Sequence, residues 1–348
     1  MGDSFVDRPG RPGVLLLDEV GAADVRSSQI PSLVRHPGMS SEGGLMEDLD
    51  DVMVERRRLI ALAYRLLGTL EEAEDAVQET YLRWYRLTED ERAAVANPQG
   101  WLTRVASRVC LDVLKSARVR REQYVGPWLP EPVPSDLLAL PGRRSAAGAP
   151  HELADPADRV TLDDTISSAL MVVLDAMTPA ERVAFVLHDV FELPFADIAT
   201  VVGRTPAAVR QLATSARRKV SAQRQELAPT PEHDAVVRAF GAAATGGDLG
   251  ALAVLLDPAV ALRSDGGGVV SAARNPVFGP DKVARFMLGV LAKRPTWRLA
   301  ERPTGDGLGL VYAEGASVHG VINLRVAGGR ITDVWIVVNP AKLAAWRA

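Results

Sequence analysis

The sequence predicts a multidomain chain with two all-α blocks followed by a small α+β domain. Three observations carry this reading. Apolar residues recur at helical spacing in two stretches, residues 52–124 and 160–226. A Pro-, Gly- and Ala-rich segment, residues 125–159, separates them and reads as a linker. Within residues 233–348 the period changes from helical to alternating, with Gly-rich punctuation. At 348 residues the chain is long enough for several cores.

Residues 1–48 are rich in Gly, Pro, Ser and Asp without lasting periodicity, which predicts a disordered extension. Leu59, Ala63, Leu66 and Leu67 then form an apolar stripe that Gly68 ends. Thr69 with Glu72 makes a capping box for a second helix, whose apolar face is Leu70, Ala73, Val77, Tyr81 and Trp84. Asn97-Pro98 opens a third, running into the basic stretch Lys115 to Arg121. Residues 233–256 read as two helices. The segments starting at Ala259, Trp297, Gly307, Ser317 and Arg330 read as strands of a curved antiparallel sheet.

Bulk composition excludes more than it assigns. A net charge of −4 means that any basic surface is local. The single cysteine, Cys110, forbids an internal disulfide and fits a reducing cytoplasm. No run approaches the roughly 18 apolar residues of a membrane span. The five histidines are scattered, so neither a metal site nor a cofactor is expected.

Chemistry concentrates in residues 192–220. Phe195, Ile198, Ala199 and Val202 form a short amphipathic helix, Gly203 allows a sharp turn, and Thr205-Pro206 can start another helix. That is a helix-turn-helix pattern. No acidic residue lies between Ile198 and Gln225. Arg204, Thr205, Ala207, Arg210, Gln211 and Thr214 would face DNA, Arg210 and Gln211 being able to read purine edges. Arg217 and Arg218 would meet phosphates. In the third helix, Trp101, Arg104, Arg108, Lys115, Arg118 and Arg121 mix cations with an aromatic face, as does nearby Tyr124, which suits opening DNA. Trp101 could equally be core packing. Glu71, Asp75 and Glu79 make an acidic stripe that a basic protein partner would complement.

Together these blocks resemble the extracytoplasmic-function sigma factors. Residues 52–122 resemble sigma region two, and 160–222 resemble region four. The resemblance implies binding to core RNA polymerase through Asp75, Glu79 and Trp84. It implies capture of the minus-ten element around Asn97 and the following helix, and reading of the minus-thirty-five element by region four. The C-terminal part resembles a subgroup with a SnoaL-like domain, a cone-shaped fold of the nuclear-transport-factor-two type. Its motifs read here as Trp128-Leu129-Pro130-Glu131-Pro132, Asp265-Gly266-Gly267-Gly268 and Asn339-Pro340. The lysine that usually follows the second motif is Val269 here, and Ala341 replaces an acid before Lys342. The resemblance implies that this domain holds regions two and four and tunes activity within the chain.

Two rivals have distinct consequences. An enzyme of the SnoaL type would use an acid/base pair drawn from Asp265, Tyr312 and His319, although Asp265 also suits a turn former. A pocket that binds a small-molecule effector without chemistry is the milder version. A helix-turn-helix repressor would explain residues 192–220 but leave 55–121 without a role.

Overall fold

The computed structural model describes residues 42–122, 124–135, 137, 167–224 and 230–346. The segments expected to be an N-terminal extension and most of a linker lie outside these residues, apart from 42–48, which are helical.

Helix α1 spans Glu42–Leu67 and α2 spans Leu70–Tyr85. Thr69 caps α2 by accepting the Glu72 amide at 3.4 Å. The short α3, Glu89–Ala93, was not foreseen; its start carries a full Thr88/Glu91 capping box. Helix α4, Pro98–Glu122, begins where expected, with Asn97 Oδ1 accepting the Gly100 amide at 2.9 Å. The second block holds α5 (Ser168–Asp175), α6 (Pro179–Phe185), a π-helical turn at Val186–Val190, α7 (Phe195–Val202) and α8 (Pro206–Arg224).

The two helical blocks share one core. Leu59, Leu62 and Leu66 of α1 and Ala106 and Cys110 of α4 belong to the same apolar cluster as Phe185, Ile198 and Val209. Helix α4 packs on α2 and also on α6 and α7. One buried arginine crosses this boundary: Arg182 Nε donates to the carbonyl of Arg65 at 3.1 Å, and Arg65, also buried, donates from Nη1 to the Ala61 carbonyl of its own helix at 2.7 Å. Guanidinium groups tolerate such burial only when their donors meet acceptors.

The C-terminal domain is α9 (Thr230–Gly246), α10 (Leu249–Leu255), β1 (Leu256–Asp265), β2 (Val277–Phe278), α11 (Pro280–Lys293), β3 (Arg298–Thr304), β4 (Gly307–Glu314), β5 (Ser317–Ala327) and β6 (Arg330–Val337). The sheet order is β2-β1-β6-β5-β4-β3. It is mixed rather than antiparallel as expected, because β6 returns beside β1 in parallel. Alternation reveals strands but not their pairing direction.

Alternation divides this sheet into two apolar faces. Val334 and Ile336 face α9, α10 and α11 in one cluster. Trp335 and Val337 face the other way, into a cluster with Leu129 of the linker, Ala169 of α5, Leu343 and Trp346. The second face therefore buries apolar surface against the rest of the chain, at roughly 25 cal/mol per Å² removed from water.

Candidate functional site

The helix-turn-helix forms for local reasons. Gly203 ends α7 in the left-handed region at φ 70°, where a side chain would be strained. Thr205 Oγ1 accepts the Ala208 amide at 3.2 Å and starts α8. Val209, Ala213, Ala216 and Val220 face the core. That spacing leaves Arg204, Thr205, Ala207, Arg210, Gln211, Thr214 and Arg218 exposed on the opposite side. Arg210 lies over the Phe195 ring at 5.4 Å, which fixes its direction.

Arg217 departs from the expectation of a phosphate contact. Its Nε donates to Asp189 Oδ1 at 2.5 Å, and burial raises the Asp189 carboxyl above its usual range. Neighbouring Lys219 is similarly held, 3.0 Å from Glu181. Burial works against ionisation of Glu181, but Thr178, Lys219 and Ser215 together bring it down to about 2.

Helix α4 presents its cations to α7. Arg104 Nη1 lies 3.8 Å from Asp197, and Arg108 Nη2 donates to the Thr200 carbonyl at 3.4 Å. Lys115 is paired with Asp112 at 3.1 Å. Arg118 and Arg121 continue the helix, but their side chains lie outside the described residues. Trp101 meets Trp84 edge to face at 5.1 Å, so both pack at the α2/α4 seam. Asp75 is exposed on α2, while Glu79 is half-buried and paired with Arg83 at 2.8 Å.

The most concentrated polar chemistry is a junction between linker and C-terminal domain. Asp265, fully buried, accepts from Tyr124 Oη at 2.5 Å, from the Leu129 amide at 2.9 Å and from the Gly267 amide at 3.0 Å. Lys342, 5% exposed, completes it: Nζ lies 2.8 Å from Asp265 Oδ2 and donates to the Leu129 carbonyl. That ammonium also sits 4.1 Å above the Trp128 ring. Asn339 Nδ2 donates to Tyr124 Oη at 3.0 Å, and Asn339 Oδ1 accepts the Ala341 amide, setting the Pro340–Lys342 turn. Gly267, at φ 64°, is obligatory, since an added Cβ would stand 2.6 Å from Asn339. Gly266 is buried in the same turn, and Gly268 packs beside Val125.

The rest of the linker motif reaches the helical blocks. Tyr64 Oη donates to the Glu131 carbonyl at 2.6 Å. Glu131 Oε2 accepts the Leu70 amide at 2.7 Å, at the N-terminus of α2, although burial raises this carboxyl's pKa. Trp128 lies on Gly68, and Pro130 is buried beside Leu129. Trp346 Nε1 donates to the Pro132 carbonyl at 2.7 Å. A second contact reaches α5, where Asp306 accepts the Ser168 amide at 2.9 Å and the Ala169 amide at 3.2 Å.

Of the residues expected at the interdomain contact, Trp128, Leu129, Asp265, Gly267, Gly268 and Asn339 meet there, with Gly266, Pro130 and Pro340 beside them. Val269, where the family motif has a lysine, is 79% exposed, and the buried cation at Asp265 is Lys342. Tyr124, expected near DNA, lies beyond the end of α4 and belongs to this junction. Tyr124, Lys342 and Asp306 carry no local signal; only folding brings them to their partners.

Of the acid/base candidates, Tyr312 and His319 both meet the Trp297 ring, at 5.3 and 5.1 Å, while Asp265 lies apart from them. Asp265 points to the linker. Tyr312 lies on the helical side of the sheet, where its hydroxyl approaches Met287 Sδ at 3.9 Å and burial raises its pKa. His319 stacks on Trp297 at 5.1 Å and lies 3.4 Å from Glu314. Among the described residues, no His, Cys, Asp or Glu cluster could hold a metal ion, and no helix is long and apolar enough to cross a membrane.

The family described as Sigma-70 region 2 matches residues 52–120, and Sigma-70, region 4 matches residues 167–220. The ECF RNA polymerase sigma factor SigJ of Mycobacterium tuberculosis is 39% identical over 299 residues, covering 82% of this chain and 90% of that protein. The probable ECF RNA polymerase sigma factor SigI of the same species is 38% identical over 295 residues, covering 84% and 93%. A crystal structure of M. tuberculosis SigJ matches with a TM-score of 0.63 at 33% identity, covering 85% of this chain and 98% of that one.

Proposed function

Since the chain belongs to the extracytoplasmic-function sigma factors, which direct RNA polymerase to promoters, we infer that its C-terminal domain restrains that activity in cis. The observation that carries this is the contact of α4 with α7 through Arg104 and Arg108. By their names, the minus-ten and minus-thirty-five elements lie about 25 base pairs apart, roughly 85 Å at about 3.4 Å per base pair. Region two and region four cannot touch each other and occupy both. Promoter engagement requires them to part, and the Asp265 and Asp306 contacts oppose that parting.

In the parted state, Arg204, Thr205, Ala207, Arg210, Gln211, Thr214 and Arg218 read the minus-thirty-five element. Released Arg104 and Arg108, with Asn97, Trp101, Lys115, Arg118 and Arg121, engage the minus-ten element. Asp75 offers its exposed carboxylate to polymerase, with Glu79 and Trp84 beside it. A small-molecule effector acts through the C-terminal domain, which serves as a regulator rather than an enzyme.

The test is a covalent lock. Arg104→Cys with Asp197→Cys, joined by a short bismaleimide, holds α4 on α7; Cys110 is buried and does not compete. The joined protein should support no promoter-specific transcript with core polymerase, while the unjoined variant, lacking one minus-ten contact, should still give a reduced one. Undiminished transcription from the joined protein would overturn the reading.

A further inference from the structure

The helical side of the C-terminal sheet holds a cavity of ≈ 480 Å³, a size suited to a small organic ligand. Its walls are mostly apolar, including Val270, Phe286, Val290, Trp297, Ile336 and Val338. Ser264 and Tyr312 add hydroxyls. The lining includes three cations, Arg285, Lys293 and Arg294, and no carboxylate. Arg285 is engaged by Asp281 at 2.9 Å, while Arg294 lies 5.4 Å over the Trp297 ring. Lys293 and Arg294 are exposed at the C-terminal end of α11. The charge complement of this cavity is an anion with an apolar body.

The cavity and the junction are opposite faces of the same strands. Ser264 lines the cavity, and the next residue, Asp265, faces the linker. Ile336 and Val338 line it, whereas Val337 packs beside Leu129 and Asn339 meets Tyr124. Val270 to Ala273, which follow the glycine turn, form another wall. A molecule in the cavity would pack against the strands whose other faces present Asp265 and Asn339. Whatever positions those strands for one contact positions them for the other, so the two would favour each other.

We propose that this cavity binds a small apolar carboxylate, and that its occupant tightens the Asp265 junction through β1 and β6. This rests on the reading that the C-terminal domain restrains the sigma regions. The ligand therefore acts as a co-repressor, holding regions two and four together.

The test is calorimetric titration of the full chain with 2-naphthoate and octanoate, against the neutral 2-naphthylmethanol and 1-octanol. Saturable binding of at least one carboxylate, about tenfold tighter than its alcohol, is expected. Gly289→Phe fills the cavity, since a Cβ at Gly289 meets nothing within 4 Å; it should abolish that binding while circular dichroism stays unchanged. Reciprocity requires Asp265→Ala, or Lys342→Met where the first fails to fold, to weaken binding about fivefold or more. Absent or charge-blind binding, or binding that survives Gly289→Phe, would overturn the site. Binding indifferent to both junction variants would overturn the coupling. Neither result involves polymerase, so failure here is separable from failure of the covalent lock.

Discussion

Replacing Asp265 by alanine should release the linker from the C-terminal domain. Asp265 is fully buried and takes four donors, one of them the ammonium of Lys342, which is itself 5% exposed. Deleting the carboxylate removes that charge's ion-pair partner, although Glu131 stays within electrostatic reach, and strands the Leu129 amide. Removing one partner of a buried ion pair costs about 3–5 kcal/mol. That corresponds to roughly 150- to 4,000-fold in the docked-to-undocked ratio. Hydrogen exchange followed by mass spectrometry reads this directly, because the Leu129 amide is protected only while docked. Exchange in residues 124–135 should accelerate, with α11 and β4 unchanged. Lys342→Met should do the same, and Asp265→Asn combined with Lys342→Met should cost less than the single changes summed, since neither charge is then stranded. Unchanged protection at 124–135 in Asp265→Ala would show that Asp265 does not hold the linker docked.

Three further outcomes follow from the geometry. Gly68→Ala places a Cβ 2.8 Å from the Trp128 ring at φ 89°, so a loss of about 1–2 kcal/mol is expected, read from the urea midpoint; an unchanged midpoint would contradict it. Arg210→Ala should reduce occupancy of a specific minus-thirty-five element about tenfold or more, leaving non-specific DNA binding nearly intact; a uniform loss across sequences would assign Arg210 to phosphates instead. Burial raises the Asp306 carboxyl above its usual range, so the folded protein holds that proton more tightly than the unfolded chain. Stability relative to Asp306→Asn should therefore fall as pH rises from about 4 through the raised value, then level off. The opposite slope in a thermal-melt series would exclude this contribution.

What the sequence revealed was local. Gly203, Thr205 and Pro206 specify a turn and a helix start within four residues, so the helix-turn-helix was legible. Strands β4, β5 and β6 alternate and are separated by Gly-containing turns, so they too were legible. The parallel pairing of β6 with β1 was not, because alternation carries no direction. Helix α11 was overlooked although Val283, Ala284 and Met287 have helical spacing. Non-local partners were the real gap. Asp265 stood out as part of a motif, yet Tyr124 lies 141 residues before it and Lys342 lies 77 after it. Nothing in a single sequence joins such positions. Likewise, Arg104 and Arg108 look like DNA ligands by type, and only the fold turns them toward Asp197 and Thr200.

A sigma factor restrained by its own C-terminal domain should be released when the junction is broken. Core-polymerase-dependent transcription in vitro, comparing the full chain with its Asp265→Ala variant on one cognate promoter, measures that release. Promoter-specific transcript is expected from both proteins, and several-fold more from the variant. Equal or lower output from a folded Asp265→Ala protein would contradict restraint by the junction.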